Sequence, residues 1–167
     1  FWCVEAISES LIGVDEVVSG YSGGETKNPT YGLVNTKLTG HAETIEVVYN
    51  PNKITFSNLL DVYFGSQNIE QINGQGPDMG PQYRSIIFYQ NEDQKEMIYS
   101  KINQIEINTG LEVAAEVYPF RKFWIAENYH QNFKKNNPNH PYIKNVSDPR
   151  FKSFKFKFED IFFSIFL

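Results

Sequence analysis

One cysteine, Cys3, stands in 167 residues. A chain with a single thiol closes no internal disulfide and offers no thiolate set for zinc, so secreted disulfide scaffolds and zinc ribbons are excluded. Positive charge is not in excess either: 15 Lys and Arg against 20 Asp and Glu leave a formal net charge of −5. General binders of nucleic acid or of anionic membranes carry a basic face, and this total gives no sign of one. No apolar run reaches the roughly 20 residues a membrane helix requires. The three histidines, His41, His130 and His140, lack metal-ligand spacing, which argues against a metal site. Internal repeats and domain linkers are missing as well.

Aromatic residues, in contrast, are plentiful at 16%, with Phe 14, Tyr 10 and Trp 2. Two readings stay open at this point. A Phe-rich core with tyrosines on a half-buried sheet accounts for them, and so does an aromatic-lined pocket for an uncharged group. The start of the sequence adds a further expectation. Phe1 is not an initiator methionine, and Phe1-Trp2-Cys3-Val4 opens in apolar sequence with no charged leader before it. The chain reads as a fragment or a processed product.

Local patterning predicts helices and strands intermixed. A short helix is expected over Glu5 to Leu11, ended by Gly13, then a strand over Val14 to Val18. A long polar loop is expected from Ser19 to Gly40. Thr44 to Tyr49 is the clearest strand, and Ser57 is expected to cap a helix through Leu59, Leu60, Val62 and Phe64. A second loop runs from Gly65 to Gln82, before a strand at Arg84 to Tyr89. Asn91 and Gln94 suggest a capping box for a helix whose stripe is Met97, Ile98, Ile102 and Ile105. Val113 to Tyr118 reads as a strand interrupted by Pro119, and Glu127 to Lys135 as a helix stopped by Asn136-Asn137-Pro138. Phe151 to Leu167 reads as an edge strand or a poorly specified end. The expected fold is α+β, a two-layer sandwich with a mixed sheet, helices packed on it and long functional loops.

Unusual polar groups collect in the two loops. His41-Ala42-Glu43 has the H-x-E half of a zinc deaminase site, but the P-C-x-x-C half is missing. Gly20 to Gly24 (GYSGG) lacks the spacing and the lysine of a phosphate loop. Taken singly, Glu43 reads as a surface carboxylate, Tyr31 as a packed ring and Asp78 as a turn residue.

Five blocks taken together say more. Phe1-Trp2-Cys3-Val4-Glu5, GYSGG (20–24), NPTY (28–31), TGHAE (39–43) and GPDMGPQYRS (76–85) resemble the peptide-methionine (S)-S-oxide reductases, the A-type methionine sulfoxide reductases. FWIAENYHQNF (123–133) resembles that family's late helix. The resemblance implies a domain over 1–154, with the first strand and a catalytic Gly-Cys upstream of Phe1, and a tail at 155–167. It also implies a chemistry. A sulfoxide oxygen leaves only when protonated, which calls for a carboxylic acid in an apolar, partly closed pocket. By its place in GHAE, Glu43 is that acid. Tyr31 and Tyr83 would hydrogen-bond the same oxygen, Asp78 would order the surrounding network, and Phe1 and Trp2 would hold the sulfoxide's methyl group.

The family's pattern is G-C-F-W, with the nucleophilic cysteine directly before the Phe. On this reading the chain as given is inactive by itself, and Cys3 is a possible resolving thiol that attacks the sulfenic acid. Gln67-Asn68-Ile69 stands where the family usually has His-Asp-Pro, and Gly74 where it often has Arg. The implied function is repair of methionine S-sulfoxide, free or in oxidised proteins, with no bound cofactor or metal. Thioredoxin, or dithiothreitol in its place, would be the reductant. A cytoplasmic monomer that contacts neither nucleic acid nor membrane is expected. The alternatives are a catalytically inactive sulfoxide-binding protein and an interaction domain whose aromatics merely fill a core.

Overall fold

A computed structural model describes residues 1–158. Helices and strands alternate in an α+β arrangement: α1 (Trp2–Glu9), β1 (Val14–Ser22), α2 (Tyr31–Asn35), β2 (Ala42–Tyr49) and α3 (Phe56–Gly65) come first. A hairpin of β3 (Gly74–Gln75) and β4 (Asp78–Met79) follows, then β5 (Ile86–Tyr89), α4 (Glu92–Thr109), β6 (Glu116–Pro119) and β7 (Phe123–Ile125). Last come α5 (Phe133–Asn136) and α6 (Asp148–Lys157). The strands order as β2-β1-β7, β3-β4 and β5-β6. The chain forms two compact units. One holds Phe1–Gly20, Thr44–Ser66 and, of the described residues, 125–158; the other holds Tyr21–Glu43 and Gln67–Trp124.

In the first unit, Ile7, Leu11, Ile54, Val62 and Phe154 form the core, with Val14, Tyr49, Leu59, Phe151 and Phe158 packed on it. Each of the five buried side chains contributes about 1.5–3 kcal/mol by leaving water. The helix α3 starts at Thr55 rather than at the expected Ser57. Thr55 Oγ1 accepts the Asn58 N–H at 3.1 Å while Asn58 Oδ1 accepts the Thr55 N–H at 3.2 Å, a reciprocal box that Ser57 cannot make. Where an edge strand or a poorly specified end is expected from Phe151, the chain forms α6 as far as Lys157; the part of that expectation over 159–167 lies outside the described residues. Helical spacing places Phe151, Phe154 and Phe158 on the core and leaves Phe156 85% exposed, so a 3.6-residue period rather than a strand's period of two decides which rings are buried.

The helix expected over Glu127 to Lys135 is broken. A 3-10 turn covers Asn128–His130 and α5 begins only at Phe133, because Asn132 takes a φ of +52°. Its amide donates to Glu5 Oε1 at 3.0 Å, so a buried carboxylate from α1 caps α5 from outside. Burial pushes the Glu5 carboxyl above its ordinary pKa, and the Asn132 bond pulls it back in part.

In the second unit β5 and β6 pair in parallel, with Ile86 opposite Glu116 and Tyr89 opposite Pro119, and α4 is the crossover between them. Pro119 does not interrupt this strand, contrary to expectation. Glu116 and Phe120 donate their amides to Ser85 and Tyr89, and in this alternation the proline nitrogen faces away from β5. Asn91 caps α4 by accepting the Gln94 N–H at 2.9 Å, but Gln94 reaches back to the Gln90 amide, one residue beyond the expected box. Of the expected stripe, Ile98 is fully buried and Met97 is 39% exposed. The two expected loops are also shorter, because β1 runs on to Ser22, α2 forms at Tyr31, and the β3-β4 hairpin fills part of 65–82.

Candidate active site

Four of the residues singled out by sequence lie in the second unit, and each is placed by a local device. Tyr31 opens α2, whose cap is Thr30: its Oγ1 accepts the Leu33 N–H at 3.3 Å. Glu43 is the second residue of β2 and follows a loop pinned by the His41 ring. Nδ1 of His41 accepts the Gly24 N–H at 3.1 Å, so the proton sits on Nε2, which donates to the Thr26 carbonyl at 2.8 Å. Gly24 permits this approach, since a Cβ there would run into the Thr39 carbonyl oxygen and the His41 amide.

Asp78 sits in β4, opposite Gln75, across a turn whose Gly76 has a φ of +58°. The Gln71 side chain holds that turn by accepting the Gly76 N–H at 2.7 Å and donating to its carbonyl at 3.1 Å. Tyr83 ends the turn Pro81–Tyr83, its amide donating to Gly80 at 2.9 Å. Tyr31, Glu43, Asp78 and Tyr83 are all half-buried.

Electrostatics link these four. Burial pushes the Tyr83 phenol up to about 12, and negative charge on Glu43, Tyr31 and Asp78 adds to the rise. Tyr83 therefore stays a protonated donor throughout the neutral range, close enough to the other three to feel their charges.

Phe1, Trp2 and Cys3 belong to the first unit. The Trp2 indole stacks on Phe133 with centroids 3.6 Å apart and planes 5° from parallel, and meets Tyr142 edge-on at 5.5 Å. Trp2 Nε1 donates to His130 Nδ1 at 3.2 Å, and Phe1 lies against the same imidazole at 4.7 Å. Desolvation pushes His130, only 1% exposed, down to about 4, so the ring is neutral. Cys3 is buried, its Sγ 3.0 Å from Ser147 Oγ. His130 and His41 went unassigned in the sequence because neither shows a ligand spacing. The signal that would have found them is their position inside the NYHQNF and TGHAE blocks. Among the described residues no group of three or more His, Cys, Asp or Glu is placed to hold a metal ion, and no helix is long and apolar enough to cross a membrane.

These features define a protein with a cluster of phenols and carboxylates at the ends of short elements held by tightly pinned loops. Comparison with known proteins places that class. A family model described as peptide methionine sulfoxide reductase matches residues 1–161. The peptide methionine sulfoxide reductase MsrA of Pasteurella multocida is 41% identical over 161 residues, covering 96% of this chain and 92% of that protein. The protein of the same description from Nautilia profundicola is 44% identical over 154 residues, 92% of this chain and 88% of that one. Among solved structures, reduced Mxr1 from Saccharomyces cerevisiae superimposes with a TM-score of 0.79 at 29% identity, covering 84% of this chain and 82% of that one. Methionine sulfoxide reductase A of Corynebacterium diphtheriae gives 0.75 at 28%, with 83% and 71% covered. The chain belongs to the peptide methionine sulfoxide reductase family.

Proposed function

We propose that the protein reduces the S epimer of methionine sulfoxide, free or in oxidised proteins, to methionine, with thiols as the reductant. Family membership over residues 1–161 supports the reaction class. The observation that supports the assignment of roles is the Tyr83 phenol, held protonated up to about 12 by burial and by its proximity to Glu43, Tyr31 and Asp78.

A cysteine thiolate attacks the sulfoxide sulfur while Glu43 transfers a proton to the departing oxygen. Negative charge builds on that oxygen as the S–O bond breaks. Hydrogen bonds from the Tyr31 and Tyr83 phenols stabilise it there. The protonated oxygen passes to the cysteine sulfur as the S–S bond made by the attack breaks, its electron pair going to the methionine sulfur. The thiolate is thus oxidised by two electrons to a sulfenic acid and the sulfoxide is reduced to methionine. Asp78, fixed by the hairpin, orders the polar groups around this centre. Phe1 and Trp2 hold the methyl group by shape and apolar contact.

Attack of a second thiol on the sulfenic acid releases water and closes a disulfide, which thioredoxin or dithiothreitol reduces. Cys3 is the proposed second thiol. With Sγ buried against Ser147, this step requires local opening around Cys3. Such a cycle suits a reducing compartment such as the cytoplasm. The test is methionine formation by the full-length protein from methionine S-sulfoxide and dithiothreitol. Stoichiometric methionine is expected, and none would overturn the reading.

A further inference from the structure

Arg84 follows Tyr83 directly, and its side chain is 13% exposed. Its guanidinium donates in three directions: Nη1 to the Pro81 carbonyl at 2.8 Å, Nη2 to the Gly40 carbonyl at 3.1 Å, and Nε to Glu116 Oε2 at 3.1 Å. A Cβ on Gly23 would lie 3.4 Å from Nη2, so the GYSGG segment packs against the same group. One rigid fork thus touches three of the sequence blocks. Gly40 leads into the strand that carries Glu43, and Pro81 opens the turn that carries Tyr83. A guanidinium fixes the spacing of its acceptors because its donors are coplanar; an ammonium on a flexible stem does not.

We propose that Arg84 is a positioning residue that sets the distance between Glu43 and Tyr83 by clamping the Gly40 and Pro81 carbonyls. The inference rests on the proposed sulfoxide reduction, since both residues are placed at the same oxygen. Arg84 itself touches no reacting atom.

The experiment compares Arg84→Lys and Arg84→Ala in the full-length protein, alone and combined with Glu43→Gln. Misplacement of about 1 Å costs on the order of 100-fold in rate. Both variants should therefore lose kcat on that scale with KM little changed. Millimolar guanidinium should restore part of the Arg84→Ala rate, whereas methylammonium should not. With Glu43→Gln already present, removing Arg84 should cost little more. A second readout needs no turnover: in Arg84→Lys, which keeps the charge, the phenol identified as Tyr83 by comparison with Tyr83→Phe should titrate below its wild-type value of about 12, because the Glu43 contribution to the rise changes with distance. Arg84→Lys with wild-type kcat and an unmoved phenol overturns the proposal, as does full additivity with Glu43→Gln. Should Arg84→Ala fail to fold, the lysine variant decides. A phenol that moves in Arg84→Lys, in a protein whose wild type turns over no sulfoxide, would sink the proposed function and keep the clamp.

Discussion

The indole N–H of Trp2 donates to Nδ1 of His130, a bond that only an unprotonated Nδ1 can accept. Its burial ties the folded state to a neutral ring, and His130 sits at about 4 rather than the ordinary 6.5. Between those values the unfolded chain binds a proton that the folded chain refuses. This contribution is therefore complete above about pH 6.5 and is lost as the pH falls towards 4, by about 3 kcal/mol in all. Urea unfolding of wild type and His130→Gln across that window isolates it, because Glu5, whose carboxyl burial also shifts, titrates in both. The wild type should lose stability relative to the variant as acid is added. Parallel curves would contradict the assignment.

Glu43→Gln keeps shape and hydrogen bonding but removes the transferable proton. A general acid contributes about 100- to 10,000-fold. The variant should lose kcat within that range while its melting temperature stays near that of the wild type. Turnover at the parent rate would remove Glu43 from the mechanism.

Tyr83 should be the last phenol to ionise. Its folded value of about 12 exceeds the ordinary 10, so folding stability falls as pH rises from 10 towards 12, where the unfolded chain releases this proton first. Absorbance titration near 295 nm should show one late tyrosine that Tyr83→Phe abolishes. The same variant should lower kcat and leave KM closer to wild type. A titration unchanged by the substitution would place the perturbed phenol elsewhere.

Gly24 and Gly76 are predicted to differ. A Cβ at Gly24 collides with backbone of Thr39 and His41, which cannot swing aside, whereas at Gly76 nothing lies within 4 Å and only the φ of +58° is strained. Gly24→Ala should destabilise by more than about 2 kcal/mol, and Gly76→Ala by about 1 kcal/mol. Thermal melts of the two variants check the order, and a reversed order would contradict the packing of the GYSGG block.

The sequence carried what is local or motif-borne. The β-branched run TIEVVY marked β2, and the Asn91 cap marked the start of α4. The TGHAE and PQYRS blocks marked the segments that carry Glu43 and Tyr83. What it did not carry depends on partners far along the chain. Asn132 breaks a helix because Glu5, 127 positions away, captures its amide. Pro119 stays in a strand because of which way its nitrogen faces in the pairing with β5. His130 acquires its role only through Trp2, 128 positions distant.

The most direct test of the account is stereochemical. The full-length protein is given methionine S-sulfoxide and methionine R-sulfoxide separately, with dithiothreitol, and the methionine formed is measured. The S epimer should be consumed and the R epimer left, as the proposed reaction requires. Equal consumption of both epimers, or of neither, would contradict it.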